Sequence, residues 1–423
     1  MSLTISVFLF MSTNLANSFQ ILMRGSAMKK LVSIFCLVVC FSPVNLFAFD
    51  WKSHDLSHLV VVTNRDANEL TIIDMTTDEV IGKQKIALNS QAHMTAFAPD
   101  GKKLAIAATA NNLVTVLDLN TNETKDITVG SGPEHMDISK DNRWLYVGNI
   151  EGGTVSAIDL DQNREVARLK GFHEPHGATI MASGKKVYIP NRGAQLVGVV
   201  DASLATNDIL VGSLAGLASF ERDQAGASMH RERSIPTNGV ANVTLTLDEK
   251  FAYIATGDAN SVSVLDTATD QIIRTISVGM DPWRAYASPN GKHMIVPNNG
   301  DQTVSVIDAH THTLVATLPG GIDMTGVNFD NEGAKGYVIS RGSNQVLIYN
   351  FLTLQKTGQL AMGKGARLET ASTSPAGTKI YVASSSNNSL YVIDVKSDRV
   401  KQIRNVGSFP WGVSIYKGQN YCH

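Results

Sequence analysis

Three histidines, His93, His135 and His176, recur at nearly constant spacing in the segments Ala92-His93-Met94, Glu134-His135-Met136 and Pro175-His176-Gly177. Imidazole nitrogens are common ligands of divalent transition metals and of haem iron. Three of them converging in one recess would make a metal or haem-iron site. Sulfur from Met94, Met136 or Met324 would shift the preference toward a softer metal such as copper. His173, just ahead of His176, is a further candidate ligand or a partner behind one. The competing reading is that histidines at a polar rim hydrogen-bond to loop carbonyls, or stand too far apart to share one ion. Neither an HExxH nor a CxxCH motif is present.

The spacing of the histidines belongs to a longer pattern. Strands ending in aspartate close at Asp74, Asp118, Asp159, Asp201, Asp266, Asp308, Asn350 and Asp394, at intervals of 44, 41, 42, 65, 42, 42 and 44 residues. Each is preceded by a β-branched, aromatic-rich strand: LVVVTN from Leu59, LAIAAT from Leu104, LYVGN from Leu145, VYIPN from Val187, AYIAT from Ala252, MIVPN from Met294, GYVIS from Gly336 and IYVAS from Ile380. Pro-Asp-Gly-Lys-type turns recur at Pro99 to Lys102, Pro289 to Lys292 and Pro375 to Lys379. Alternation punctuated by Gly, Asn and Asp describes antiparallel four-stranded meanders. Eight copies with a period near 42 predict an all-β fold: an eight-bladed β-propeller of four-stranded antiparallel blades.

The first copy lacks its innermost strand, and the chain ends on Phe409-Pro410-Trp411-Gly412-Val413-Ser414-Ile415-Tyr416. That strand should complete the first blade and close the ring. The long interval marks an insertion at about 203–230, read either as a lid over the channel or as a surface excursion. The strand-end aspartates should accept hydrogen bonds from their turns, and His310 and His312 should be exposed in an outer hairpin.

A propeller brings the residues that open each innermost strand onto one ring around its axis. Here those positions hold His93, His135, His176, Gly239, Trp283, Thr325, Glu369 and Trp411. The loops between second and third strands rise on the same face. With the strand entries they supply Arg65, Arg192, Arg284, Arg341 and Arg367, a positive rim suited to carboxylates such as haem propionates or a sugar acid. The candidate site is therefore His93, His135 and His176 for a metal, with Arg65, Arg192, Trp283, Arg284, Arg341 and Trp411 for an organic cofactor.

The strands VYIPN, LYVGN and IYVAS, followed by VSVID or VTVLD, resemble the YVTN-type β-propeller repeat over residues 59–416. Within that group, eight blades resemble the haem-carrying propeller of dissimilatory nitrite reductase, which implies a haem-like tetrapyrrole in the funnel. The copies PHGATIMASGKKVYIPN and PWRAYASPNGKHMIVPN also resemble 6-phosphogluconolactonase-type propellers, which implies a lactone hydrolase. Those are usually seven-bladed and cytoplasmic.

Targeting signals favour export. Met28-Lys29-Lys30, the apolar run Leu31 to Leu46 and Phe47-Ala48 have the three parts of a secretory signal, with Met28 as the true start. The rival is an uncleaved membrane anchor. Residues 1–48 are thus read as extension and signal, and 49–423 as one propeller, periplasmic or secreted, without stable membrane insertion after cleavage. That body carries 33 basic and 38 acidic residues, a net charge of about -5, which points away from nucleic acid. Cys36 and Cys40 fall in the signal and leave Cys422 alone, so no disulfide framework exists. Three functions follow: a binding or cofactor-carrying propeller with its ligand in the funnel, a protein-interaction scaffold, or a lactonase-like hydrolase.

Overall fold

The computed structural model describes residues 49–421 except 185, 195, 202–232 and 237–239. The signal segment with its start at Met28, the insertion at about 203–230, Asn238-Gly239 and Cys422 lie outside the described residues. Those described form eight antiparallel sheets and no α-helix. The alternation of the repeats is the cause: each second and third strand is buried along nearly its whole length, because neighbouring blades cover both faces.

Ring closure is as expected. Pro410–Ile415 pairs antiparallel with Leu59–Asn64, so the end of the chain supplies the innermost strand of blade 1. The chain then turns at Gly418, and Gln419–Tyr421 pairs with Leu368–Thr373, the innermost strand of blade 8. Blade 8 therefore has five strands, and the extra one stands in the channel. Nothing in the repeat pattern signals it.

The strand-end carboxylates do what their repetition implied. Asp74 Oδ1 accepts the N–H groups of Thr76 and Thr77 at 2.7 and 2.9 Å, and Asp308 and Asp266 repeat the motif. Asn350 accepts from Leu352 and Thr353, both at 2.9 Å, without a charge. A residue with positive φ closes these hairpins: Asp78, Asp270 and Asp398 among others. These aspartates also latch blade to blade. Lys379 and Tyr381 of blade 8 reach Asp78 of blade 1 at 2.8 and 2.9 Å. Lys335 and Tyr337 reach Asp398, and Lys186 and Tyr188 reach Asp270, in the same way. His312 holds the corresponding place in blade 6. It is only partly exposed, its Nδ1 lies 2.6 Å from the Tyr253 hydroxyl, and it packs on Phe251. The expectation of exposure holds for His310 and fails for His312, because hairpin geometry pushes that side chain against the neighbouring blade.

Asp201 ends the third strand of blade 4 and Arg233 begins the fourth.

Candidate functional site in the channel funnel

Irregularity at the top of each innermost strand turns the key side chains inward. The ladder slips between Ala92 and Thr95, between Pro133 and Met136, and between Leu368 and Ala371. Along Pro410–Ile415 it slips opposite Val62 and Asn64. In blades 4 and 6 single bridges at Pro175 and Pro282 precede the gap. Such bulges leave a residue unpaired and re-aim it. The residues released are His93, His135, Glu369, Trp411, His176 and Trp283.

They form an arc. The His93 and His135 rings lie 5.5 Å apart, and those of His135 and His176 lie 4.2 Å apart. Trp411 stands 5.5 Å from His93 at one end, and Trp283 stands 5.8 Å from His176 at the other. Each tryptophan carries a guanidinium on its face: Arg65 at 4.7 Å from the Trp411 ring, Arg192 at 4.9 Å from the Trp283 ring. All seven belong to the candidate site expected from the sequence, and the fold brings them together. The three histidines and Trp411 are buried, Trp283 and Arg65 are half-buried, and Arg192 is exposed.

Glycines make the close approach of the rings feasible. Gly177 has φ +124°, and a Cβ there would lie 2.7 Å from the His135 Cβ. A Cβ on Gly412 would lie 2.6 Å from the His93 carbonyl oxygen. Thr63 Oγ1 donates to that carbonyl at 3.1 Å and accepts from Gly412 N–H at 2.7 Å, fixing His93 to the closing strand.

In the sequence Glu134 stands out only as the neighbour of His135. Its carboxylate, with one nitrogen each from His93 and His135, forms a group of donors all within 4.8 Å of one another. It also lies 4.0 Å from His176 Nε2. Burial raises the Glu134 pKa above its ordinary value, while the charges of Arg65 and Arg192 pull it back. The clue in the sequence was its position beside a ring histidine on a strand entry, where a bulge can present two consecutive side chains to one side. His173 is exposed and is not part of this donor group; its carbonyl accepts from Gly193.

The remaining arginines divide. Arg341 stands on the rim but is held by Asp323 through two bonds of 2.6 and 3.0 Å and by Glu369 at 3.3 Å. Glu369 is fully buried, and Arg367 and Ser385 complete its shell. Arg284 lies deeper, its guanidinium 5.3 Å from the Tyr286 ring. It lines a channel cavity of about 250 Å³ that also touches His135 and His176. Among the described residues no helix is long and apolar enough to cross a membrane.

Residues 54–160 match the family described as the cytochrome D1 heme domain. A 6-phosphogluconolactonase of Pectobacterium atrosepticum is 22% identical over 316 residues, covering 67% of this chain and 88% of the relative. The hydrazine synthase subunit beta of Kuenenia stuttgartiensis is 26% identical over 202 residues; this chain spans 47% of that relative's length. Among solved structures, dihydro-heme d1 dehydrogenase NirN in complex with DHE aligns with a TM-score of 0.68 at 16% identity, over 89% of this chain and 78% of its own. Kuenenia stuttgartiensis hydrazine synthase aligns with a TM-score of 0.51 at 21% identity, over 74% and 96%. The resemblance read from the repeats stands: the chain is an eight-bladed β-propeller similar both to cytochrome D1 heme domains and to 6-phosphogluconolactonases.

Proposed function

We propose that the protein is an exported, cofactor-carrying propeller whose funnel takes a haem-like tetrapyrrole. The observation that carries this reading is the arc itself: three imidazoles between two tryptophans, each tryptophan covered by an arginine. The residues fit such a group. Imidazole nitrogens suit iron, indole faces suit a flat aromatic macrocycle, and Arg65 and Arg192 suit its carboxylates. When bound, the group supplies a redox-active iron. The chain's own part is to offer His93, His135 or His176 as the iron ligand and to clamp the ring edge with Arg65 and Arg192. Arg341, held by Asp323 and Glu369, keeps the rim in shape. The similarity to cytochrome D1 heme domains supports this reading, and the leader-like segment before residue 49 supports export.

Glu134 favours a second reading, a bare divalent cation on His93, Glu134 and His135, since two imidazoles and one carboxylate make a complete set of three protein ligands. One experiment separates the two. The exported protein is purified and examined by visible absorption and metal analysis, then titrated with haemin, copper and zinc. A haem spectrum that is altered by replacing His93, His135 or His176 supports the tetrapyrrole, and stoichiometric metal without colour supports the cation. A colourless, metal-free protein that takes up none of the three defeats both.

A further inference from the structure

The seam between blades 5 and 6 is built from different chemistry than its counterparts. At the seams of blades 4–5, 7–8 and 8–1 a lysine and a tyrosine hold an aspartate of the next blade. Lys186 and Tyr188 hold Asp270, Lys335 and Tyr337 hold Asp398, and Lys379 and Tyr381 hold Asp78. Between blades 5 and 6 the same three places carry Phe251, Tyr253 and His312. The register fixes the correspondence: Phe251 stands opposite Asp266 as Lys186, Lys335 and Lys379 stand opposite Asp201, Asn350 and Asp394. His312 has φ +54°, as Asp78 and Asp270 do. Its N–H bonds the Asp308 carbonyl at 2.9 Å, as that of Asp78 bonds the Asp74 carbonyl at 2.8 Å. An ion pair has been exchanged for an imidazole packed on aromatic rings.

The His312 ring meets Phe251 edge-on at 4.4 Å between centroids and lies 5.9 Å from the Tyr253 ring. Its Nδ1 stands 2.6 Å from the Tyr253 hydroxyl. Burial, with Asp308 adding to it, pushes that hydroxyl above its ordinary range, so it keeps its hydrogen. A neutral imidazole can accept that hydrogen at Nδ1, whereas a protonated one donates from both nitrogens. The hydroxyl must then turn its hydrogen to the Ala309 carbonyl, 3.5 Å away and at the limit of a hydrogen bond.

The surroundings also oppose charge on this ring. Burial is the largest effect. Arg274, on the outer strand of blade 5, bonds the Thr311 carbonyl at 3.4 Å and adds like charge, as does His310. Asp308 pulls the other way, but its Oδ1 already accepts the N–H groups of His310 and Thr311 and the Thr311 hydroxyl. Aspartate, lysine and tyrosine ordinarily titrate outside the range of about pH 5 to 8, and histidine within it.

We propose that the seam between blades 5 and 6 is a proton-operated joint, latched while His312 is neutral and loosened when its ring takes up a proton. Because the folded chain holds this proton less well than the unfolded chain, the latch contributes fully above the ordinary histidine value of 6.5. Its contribution is lost as the pH falls from there. The inference stands whether or not the funnel holds a cofactor.

The test is hydrogen exchange of the purified full chain at about pH 8 and about pH 5, read by mass spectrometry and corrected for the intrinsic pH dependence of exchange. Whole-chain stability is the wrong readout, since His293, opposite Asp308 in the same blade, is also held below its ordinary value by burial. The matched comparison is local: Thr313–Pro319, the outer strand after His312, against Arg399–Arg404, the outer strand after Asp398. Acid should speed exchange severalfold more in the first than in the second. His312→Asn cannot titrate and tolerates the positive φ, so it should abolish the difference between the two pH values. The double variant Phe251→Lys, His312→Asp installs the ionic latch of the other seams and should protect Thr313–Pro319 equally at both. It carries the same comparison if His312→Asn does not fold. Equal acid responses of the two strands in the unsubstituted protein, or an acid response that persists in His312→Asn, overturns the proposal.

Discussion

The imidazoles of His135 and His176 face each other at 4.2 Å between centroids, their planes 40° from parallel, although they belong to adjacent blades. Both rings therefore stand within reach of one bound group. Replacing His135 with Ala should weaken uptake of haemin or of a divalent metal by about 10–100-fold. The same change at His93 should act similarly, and acidification should release the ligand from the intact protein. Absorption titrations at several pH values check each point, and unchanged uptake in His135→Ala would remove the cluster from consideration.

Gly177 offers a way to move His135 without replacing it. Alanine there places a Cβ 2.7 Å from the His135 Cβ at a φ of +124°, which L side chains rarely adopt. Gly184 provides the control: its φ is +68°, and nothing lies within 4 Å of an added Cβ. Both substitutions should cost about 1–2 kcal/mol of backbone strain. Gly177→Ala should in addition lower ligand affinity, whereas Gly184→Ala should not. Urea melts combined with ligand titrations read the two effects separately.

Burial pushes the Asp137 carboxyl up to about 6 from the usual 3.8, against the opposing pull of the Ile180 and Ile138 N–H groups. The folded chain thus keeps this proton to a higher pH than the unfolded chain does. Its contribution is fully present below about pH 4 and is lost as the pH rises through about 6. Asp137 should cost the fold on the order of 3 kcal/mol across that window. Asp137→Asn, which cannot ionise, should flatten the profile. Urea midpoints measured between pH 4 and pH 7 on both proteins give the comparison, and parallel profiles would contradict the assignment.

Arg192 and Arg341 stand on the same rim and should behave oppositely. Arg192 is exposed and rests on Trp283, so Arg192→Leu should cost less than about 1 kcal/mol of stability while weakening a carboxylate-bearing ligand. Arg341 compensates the fully buried Glu369, so Arg341→Leu should destabilise by about 3 kcal/mol and leave affinity nearly unchanged. Thermal melts and ligand titrations of both variants test the contrast. A large affinity loss in Arg341→Leu would return that residue to the binding site.

Blade number, strand pairing and closure could be read from the sequence because each repeat carries the same local instructions: alternation, a turn, and a carboxylate to cap it. The ring of His93, His135, His176, Trp283 and Trp411 was legible for a related reason, since identical repeats superpose their entry positions. What escaped was everything that depends on departures from the repeat. The role of Glu134 arises from a bulge, and no pattern marks which two consecutive side chains a bulge will turn inward. The pairing of Arg341 with Asp323 and Glu369 spans two blades, so spacing within one repeat does not reveal it. Asn420 enters the channel on a strand that has no counterpart in any other blade.

That last strand allows closure and plugging to be separated. Pro410–Ile415 completes blade 1, and Gly412, Thr370 and Ser372 tie it to its neighbours: Thr370 Oγ1 donates to Trp411 O at 2.8 Å, and Ser372 Oγ to Val413 O at 2.6 Å. Deleting residues 409–423 exposes the edge of Leu59–Asn64 and removes Val413 and Ile415 from the apolar cluster that they form with Val60, Val62, Tyr381 and Leu390. The shortened protein should melt far below the intact one and lose the cooperative transition expected of a closed ring. Deleting residues 419–423 alone removes only the fifth strand of blade 8. This second protein should keep most of its melting temperature, because the latches at Asp78, Asp270 and Asp398 remain. It should also exchange the amides of Leu368–Thr373 faster. Calorimetry and hydrogen exchange on the two truncations decide the matter: similar melting of the 409–423 deletion and the intact chain would contradict closure by the terminal strand.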